Sequence, residues 1–200
     1  MHISEGVLSA PVLGAGAAAT AAGVGIGVRR LSGEGIPRAA VLSAAFFVAS
    51  LIHVPLGPSS VHLVLNGLLG VLLGWVAFPA VLLALFLQAI LFQFGGLTTL
   101  GVNTFNMAMP GVICFYLFGP LLRRGGPLVP IGGFLTGSVS ILLSGVLVAL
   151  DLALTGEGLI NAAKLILVAH LPVMAIEGII TAFILSFLRR VKPEMLEVAR

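Results

Sequence analysis

The stretch Leu128–Leu150 reads LVPIGGFLTGSVSILLSGVLVAL, 23 residues without a charged side chain. A helix rises ~1.5 Å per residue and a bilayer core is ~30 Å thick, so about 20 consecutive apolar residues suffice to cross a membrane. The rest of the 200-residue chain has the same character: 59% of its side chains are apolar and 8% are charged. An average soluble domain has about 25% charged residues. Mean hydropathy is +1.20. There is too little polar surface to hold such a chain in water. A disordered chain, a nucleic-acid-binding module and an ordinary soluble enzyme are excluded, and an integral membrane protein remains.

Working outward from this stretch, hydropathy places six further spans at residues 7–28, 39–54, 61–78, 80–94, 105–122 and 163–188. The fold expected is an all-α polytopic bundle of seven transmembrane helices, a single membrane domain over residues 1–200. Basic residues mark the connections. Arg29, Arg30 and Arg38 follow the first span, Arg123 and Arg124 the fifth, and Arg189, Arg190 and Lys192 the seventh, with Arg200 at the end. The other side carries Glu5, Asp151, Glu157 and Lys164. The pI near 9.8 thus reflects membrane topology rather than nucleic acid. By the positive-inside rule the basic side is cytoplasmic, the N-terminus faces out and the C-terminus faces in. In the second span Ala40 and Ala44, then Ala45 and Ala49, recur at a spacing that suits close helix approach, within the bundle or against a partner.

The opening Met1-His2-Ile3-Ser4-Glu5-Gly6 holds an acid and no basic residue, unlike a secretory signal. A free amine at Met1 is expected. With it, the deprotonated amide nitrogen of His2 would close a five-membered chelate ring, and His2 Nδ1 a six-membered one. One more imidazole would complete four nitrogens in a plane, a geometry diagnostic of Ni²⁺ or Cu²⁺. His53 and His62 fall on the same predicted outer side. His62 opens the third span, with Asn66 one helical turn below it and suited to orienting the ring or a water. His53 reads as an interfacial residue. The segment 95–104, GGLTTLGVNT, is glycine-rich and polar between two apolar spans, and reads as a lid or lining rather than a plain connector.

His170 and Glu177 share one face of the seventh span. An intramembrane acid is a functional hypothesis by default. A buried polar pair with other spans, a partner contact and an ion path all remain open. Cys114, the single cysteine, reads as a packed core thiol. The sequence carries no G-x-x-x-x-G-K-[ST], H-E-x-x-H or G-x-S-x-G run, so ATP binding through a P-loop and the common hydrolase motifs are absent.

The opening Met1-His2-Ile3-x-Glu5-Gly6, the stretch Ser60-Val61-His62, and Gly95-Gly96-Leu97-Thr98-Thr99-Leu100-Gly101-x-Asn103-Thr104-Phe105-x-Met107-Ala108 resemble the CbiM/NikM family. These are the substrate-capture membrane subunits, or S components, of energy-coupling factor transporters for cobalt and nickel. The resemblance covers nearly the whole chain. It implies a seven-helix fold and a metal held by the Met1 amine, the amide and imidazole nitrogens of His2, and the imidazole of His62. It implies that the loop with Gly95, Gly96, Thr98, Thr99 and Asn103 closes over that site. It further implies a transmembrane coupling subunit, cytoplasmic ATPase subunits and a small accessory membrane subunit as partners, in a bacterial or archaeal inner membrane. This sequence departs at Leu63-Val64, where many relatives have Pro-Thr after the histidine. The expected function is capture of Co²⁺ or Ni²⁺ as transported substrate, cobalt slightly favoured, with no organic cofactor and no enzymatic activity. The rivals are a stand-alone divalent-metal channel or secondary carrier, an intramembrane enzyme using His170 and Glu177, and a purely structural subunit.

Overall fold

A backbone in hydrocarbon must satisfy its own N–H and C=O groups, so apolar runs of this length form helices. The computed structural model describes residues 2–51, 53–56 and 59–197, with the backbone alone for 53–56, 59–61 and 197. Met1 and Arg200, assigned above to the metal and to the basic side, lie outside the described residues. The elements run α1 (Ala10–Arg30), α2 (Gly35–Ala49), β1 (His53–Leu56), β2 (Ser59–His62), α3 (Asn66–Leu73), α4 (Ala77–Phe92), α5 (Leu100–Arg124), α6 (Leu128–Thr155), α7 (Ile160–Val191) and α8 (Glu194–Glu197).

Among the described residues, five helical stretches are long and apolar enough to cross a membrane: Ala10–Arg30, Asn66–Phe92, Leu100–Arg124, Leu128–Thr155 and Glu157–Val191. Gly35–Ala49 is a shorter apolar helix. The stretch Asn66–Phe92 is not one rod. Gly74 breaks it with φ 56 and ψ −130. Asn66 Nδ2 donates to Met107 O at 3.1 Å and Gly70 abuts the backbone of Gly111, so α3 runs alongside α5 in the same direction. Beyond the break the ring of Phe78 meets Phe105 at 6.3 Å, and α4 runs back along α5. α3 and α4 are therefore the two arms of a helical hairpin.

Several expected boundaries need correction. The third span was read as helical from residue 61, but β1 and β2 pair antiparallel, with His53 opposite His62, and helix begins only at Asn66. Residues 59–62 are held in the hairpin ladder, and Leu65 then adopts the left-handed region, which a right-handed helix excludes. Asn66 is thus not one helical turn below His62. Its amide also donates to Ser144 Oγ at 2.8 Å, tying α3 to α5 and α6. Leu100–Thr104, read as loop, is the first turn of α5. Asp151, also read as loop, lies in the last turns of α6 and accepts a hydrogen bond from Asn106 Nδ2 at 2.6 Å. In α2 it is Ala39, Ser43 and Phe46 that face the bundle, while Ala40, Ala44 and Ala45 are exposed.

The core centres on Phe46, Leu69, Phe78, Leu85, Met107 and Ile141. α6 and α7 pack antiparallel and close, because a Cβ on Gly133 would lie 2.7 Å from Ala182 Cα. The outward surface is apolar: Val41, Leu154 and Phe183 are 69%, 72% and 74% exposed, as suits a lipid solvent. One end gathers Arg29 and Arg30, Arg123 and Arg124, and Arg189 and Arg190 in the last turns of α1, α5 and α7. There the Arg38 guanidinium donates to Leu72 O and Met195 O. The other end carries the N-terminal segment, the β-hairpin and the loop between α4 and α5.

Candidate metal site

At the end opposite the arginines, the chain before α1 tucks inward. Asn103, in the first turn of α5, accepts from Ile3 N–H through Oδ1 at 2.9 Å and donates to Ile3 O through Nδ2 at 3.0 Å. One side-chain amide thus satisfies both backbone groups of Ile3 and fixes the strand that carries His2. His2 is 4% exposed and His62 3% exposed, and their ring centroids lie 4.7 Å apart with a 30° tilt.

Each ring is held by an acceptor that dictates its tautomer. His2 Nε2 lies 2.9 Å from Gln88 Oε1. The Gln88 amide cannot be reversed, because its Nε2 donates to Phe47 O at 3.0 Å, and a carbonyl only accepts. It also donates to Ser50 Oγ. Gln88 therefore offers oxygen to His2, Nε2 of His2 carries the proton, and the ring lone pair is on Nδ1. His62 Nδ1 lies 2.8 Å from Leu63 O. By the same logic His62 Nδ1 donates, and its lone pair is on Nε2. The two buried imidazoles thus keep one nitrogen lone pair each, the donor type that divalent transition metals bind. Among the described residues no group of three or more His, Cys, Asp and Glu side chains converges.

The loop after α4 roofs this pair. α4 ends with Gln93 in the left-handed region, φ 58, and its cap N–H bonds to Gln88 O. The turn brings Phe94 within 6.1 Å of the His2 ring. Gly95 follows at φ +75, where a Cβ would stand 2.9 Å from Asn103 Nδ2 and 3.5 Å from His2 Cδ2. Glycine is the residue that fits both the dihedral and the space. At Gly96 a Cβ would overlap the Glu5 carboxylate, which occupies that position. Glu5 N–H donates to Gly95 O at 3.2 Å, and Glu5 Oε1 accepts from Thr98 N–H at 3.2 Å. Thr99 Oγ1 donates to Gly96 O at 3.3 Å and accepts from Asn103 Nδ2 at 3.2 Å. Gly95, Gly96, Thr98, Thr99 and Asn103 thus form one hydrogen-bonded unit with the segment carrying His2.

His53 opposes His62 in the hairpin register, but its side chain is outside the described residues. His170 and Glu177 do not pair with each other. His170 Nδ1 bonds to Ile166 O at 2.6 Å, and Glu177 accepts from Val64 N–H and Leu65 N–H. Gln88 and Glu5 escaped sequence reading as site residues. Gln88 is legible as the one amide in an otherwise apolar α4, and Glu5 stands in the opening motif and in the charge pattern with no role of its own.

The sequence matches the family described as cobalt uptake substrate-specific transmembrane region, CbiM, over residues 2–195. It is 45% identical over 202 residues to a Haemophilus influenzae protein whose name assigns it to metal transport, covering 98% of this chain and 97% of that one. It is 33% identical over 171 residues to the cobalt transport protein CbiM of Sorangium cellulosum, covering 80% and 76%. The crystal structure of a transition metal transporter superposes with a TM-score of 0.79 at 27% identity, covering 96% of this chain and 93% of that one. The chain belongs to the CbiM family, the cobalt uptake substrate-specific transmembrane region, and is a multi-pass membrane protein.

Proposed function

We propose that this chain is the substrate-capture subunit of an ATP-driven energy-coupling factor transporter for Co²⁺ or Ni²⁺. The observation that carries the reading is the pair of buried imidazoles, 4.7 Å apart, each with its tautomer set by a protein acceptor. On this reading the Met1 amine, the His2 amide nitrogen, His2 Nδ1 and His62 Nε2 hold the metal in a plane. The Glu5-latched loop then shuts water out above it. On this reading Asn66, whose amide donates to Met107 O and Ser144 Oγ, serves the packing of α3. Nitrogen donors alone do not separate the two metals. A planar nitrogen set favours nickel, and we infer a slight preference for cobalt from the family resemblance.

The helical hairpin of α3 and α4 supports seven passes when α2 is counted. The arginine-rich end supports a cytoplasmic C-terminus and an outer metal site. With no P-loop in the chain, ATP hydrolysis belongs to cytoplasmic ATPase subunits, linked through a transmembrane coupling subunit, with a small accessory membrane subunit completing the system. The site of action is the bacterial or archaeal inner membrane.

The test is metal uptake into cells that express this chain with its coupling and ATPase subunits, the latter active or with a disabled Walker lysine. Accumulation of ⁵⁷Co or ⁶³Ni that requires the active ATPase is expected. Accumulation that persists with the disabled ATPase would instead indicate a self-sufficient carrier.

A further inference from the structure

Glu177 lies near the middle of α7, is fully buried, and reaches the connector between His62 and α3. Its Oε1 accepts from Val64 N–H and, at 2.9 Å, from Leu65 N–H; Oε2 lies 3.1 Å from the same Leu65 nitrogen. Leu65 adopts φ 56 and ψ 21, a left-handed conformation in which the Cβ of an L-residue crowds the following carbonyl oxygen. Such a conformation persists where its surroundings over-determine it. Here the surroundings are visible. Successive N–H groups converging on one acceptor form an anion-binding nest, and the Glu177 carboxylate fills it.

The nest touches the metal site through a single amide. Val64 N–H and Leu63 C=O are the two ends of one peptide unit. The N–H faces Glu177, and the C=O accepts from His62 Nδ1 at 2.8 Å. A carboxylate at the N–H end pushes electron density toward the oxygen, and hydrogen bonds in such a chain strengthen one another. Histidine ligands commonly donate their second nitrogen to a carboxylate, which fixes the tautomer and raises the basicity of the ligating nitrogen. Here the carboxylate is one peptide removed.

We propose that Glu177 is a positioning residue for His62, acting through the Leu63–Val64 peptide to hold Nδ1 protonated and Nε2 turned to the metal. The proposal deepens the metal-site reading and rests on it for its functional meaning. It assigns the intramembrane acid neither to an ion path nor to a partner.

The test uses the full chain with a free N-terminus in detergent. Histidine is ¹⁵N-labelled, and the His62 signals are assigned by their loss in His62→Gln. Without metal, the parent should show a protonated Nδ1 and an unprotonated Nε2 at His62. In Glu177→Gln the gap between the two shifts should narrow as the other tautomer is populated. Unchanged His62 shifts would overturn the proposal and leave Glu177 as a helix cap alone. Calorimetry with Ni²⁺ gives the second readout. Glu177→Gln should weaken binding about tenfold in the parent background and not at all in His62→Ala. Equal weakening in both backgrounds would also overturn it. A parent that binds no Ni²⁺ would contradict the metal-site reading, and the metal-free NMR comparison would still decide the role of Glu177. If Glu177→Gln fails to fold, Glu177→Asp carries the same two measurements, with a smaller change expected in each because the charge is kept but drawn back by one methylene.

Discussion

Among single residues, Gln88 links the metal site to the bundle. It accepts from His2 Nε2 and donates to Phe47 O and Ser50 Oγ, joining the N-terminal segment, α4 and the end of α2. Gln88→Leu leaves a buried imidazole N–H without its acceptor, which costs about 1–3 kcal/mol. Ni²⁺ affinity by calorimetry should fall about tenfold, and thermal stability in detergent should fall with it. Affinity should also depend on pH in one direction. Protons compete for the amine and imidazole nitrogens, so binding should weaken steadily from about pH 8 to about pH 6. The histidines themselves were legible in the sequence, because three of four sit at one predicted edge. Their partners were not. Gln88 is 86 residues from His2, and no local spacing announces such a bond.

Among the elements, the loop after α4 and the segment before α1 behave as one latch. Gly96 leaves the space that the Glu5 carboxylate fills. Gly96→Ala should lift the loop and speed Ni²⁺ release in stopped-flow chelator competition. Adding Glu5→Ala should recover part of the loss, since the side chain in conflict is gone. A double variant no better than the single one would contradict the latch. The glycine-rich stretch stands out in the sequence as more than a plain connector, but its boundary does not. The segment 95–104 reads as polar loop, whereas helix begins at Leu100, and the Asn103 and Thr104 side chains are buried in the first turns of α5. The hairpin before α3 was missed for a related reason. Its two strands are four residues each, too short for periodicity to separate them from the edge of an apolar span.

For the whole molecule, charge and hydropathy made the architecture legible. The arginine ends of α1, α5 and α7 fall together, and apolar side chains cover the outside. Short apolar runs carried less. Fifteen residues of α2 end before the expected boundary, and a single glycine turns α3 into α4. Orientation is testable in intact cells. In a Cys114→Ala background, Glu157→Cys should react with a membrane-impermeant maleimide, while Arg124→Cys should react only after lysis. The reverse pattern would place the metal site inside. The central claim is that the metal is clamped by the N-terminus itself together with His62. The most direct measurement is Ni²⁺ and Co²⁺ calorimetry on the chain with a free N-terminus, beside a variant with one alanine inserted between Met1 and His2. The insertion keeps every histidine and changes the chelate ring. The account predicts stoichiometric binding in the parent and weakened binding, or altered metal preference, in the insertion variant; identical binding by the two proteins would contradict it.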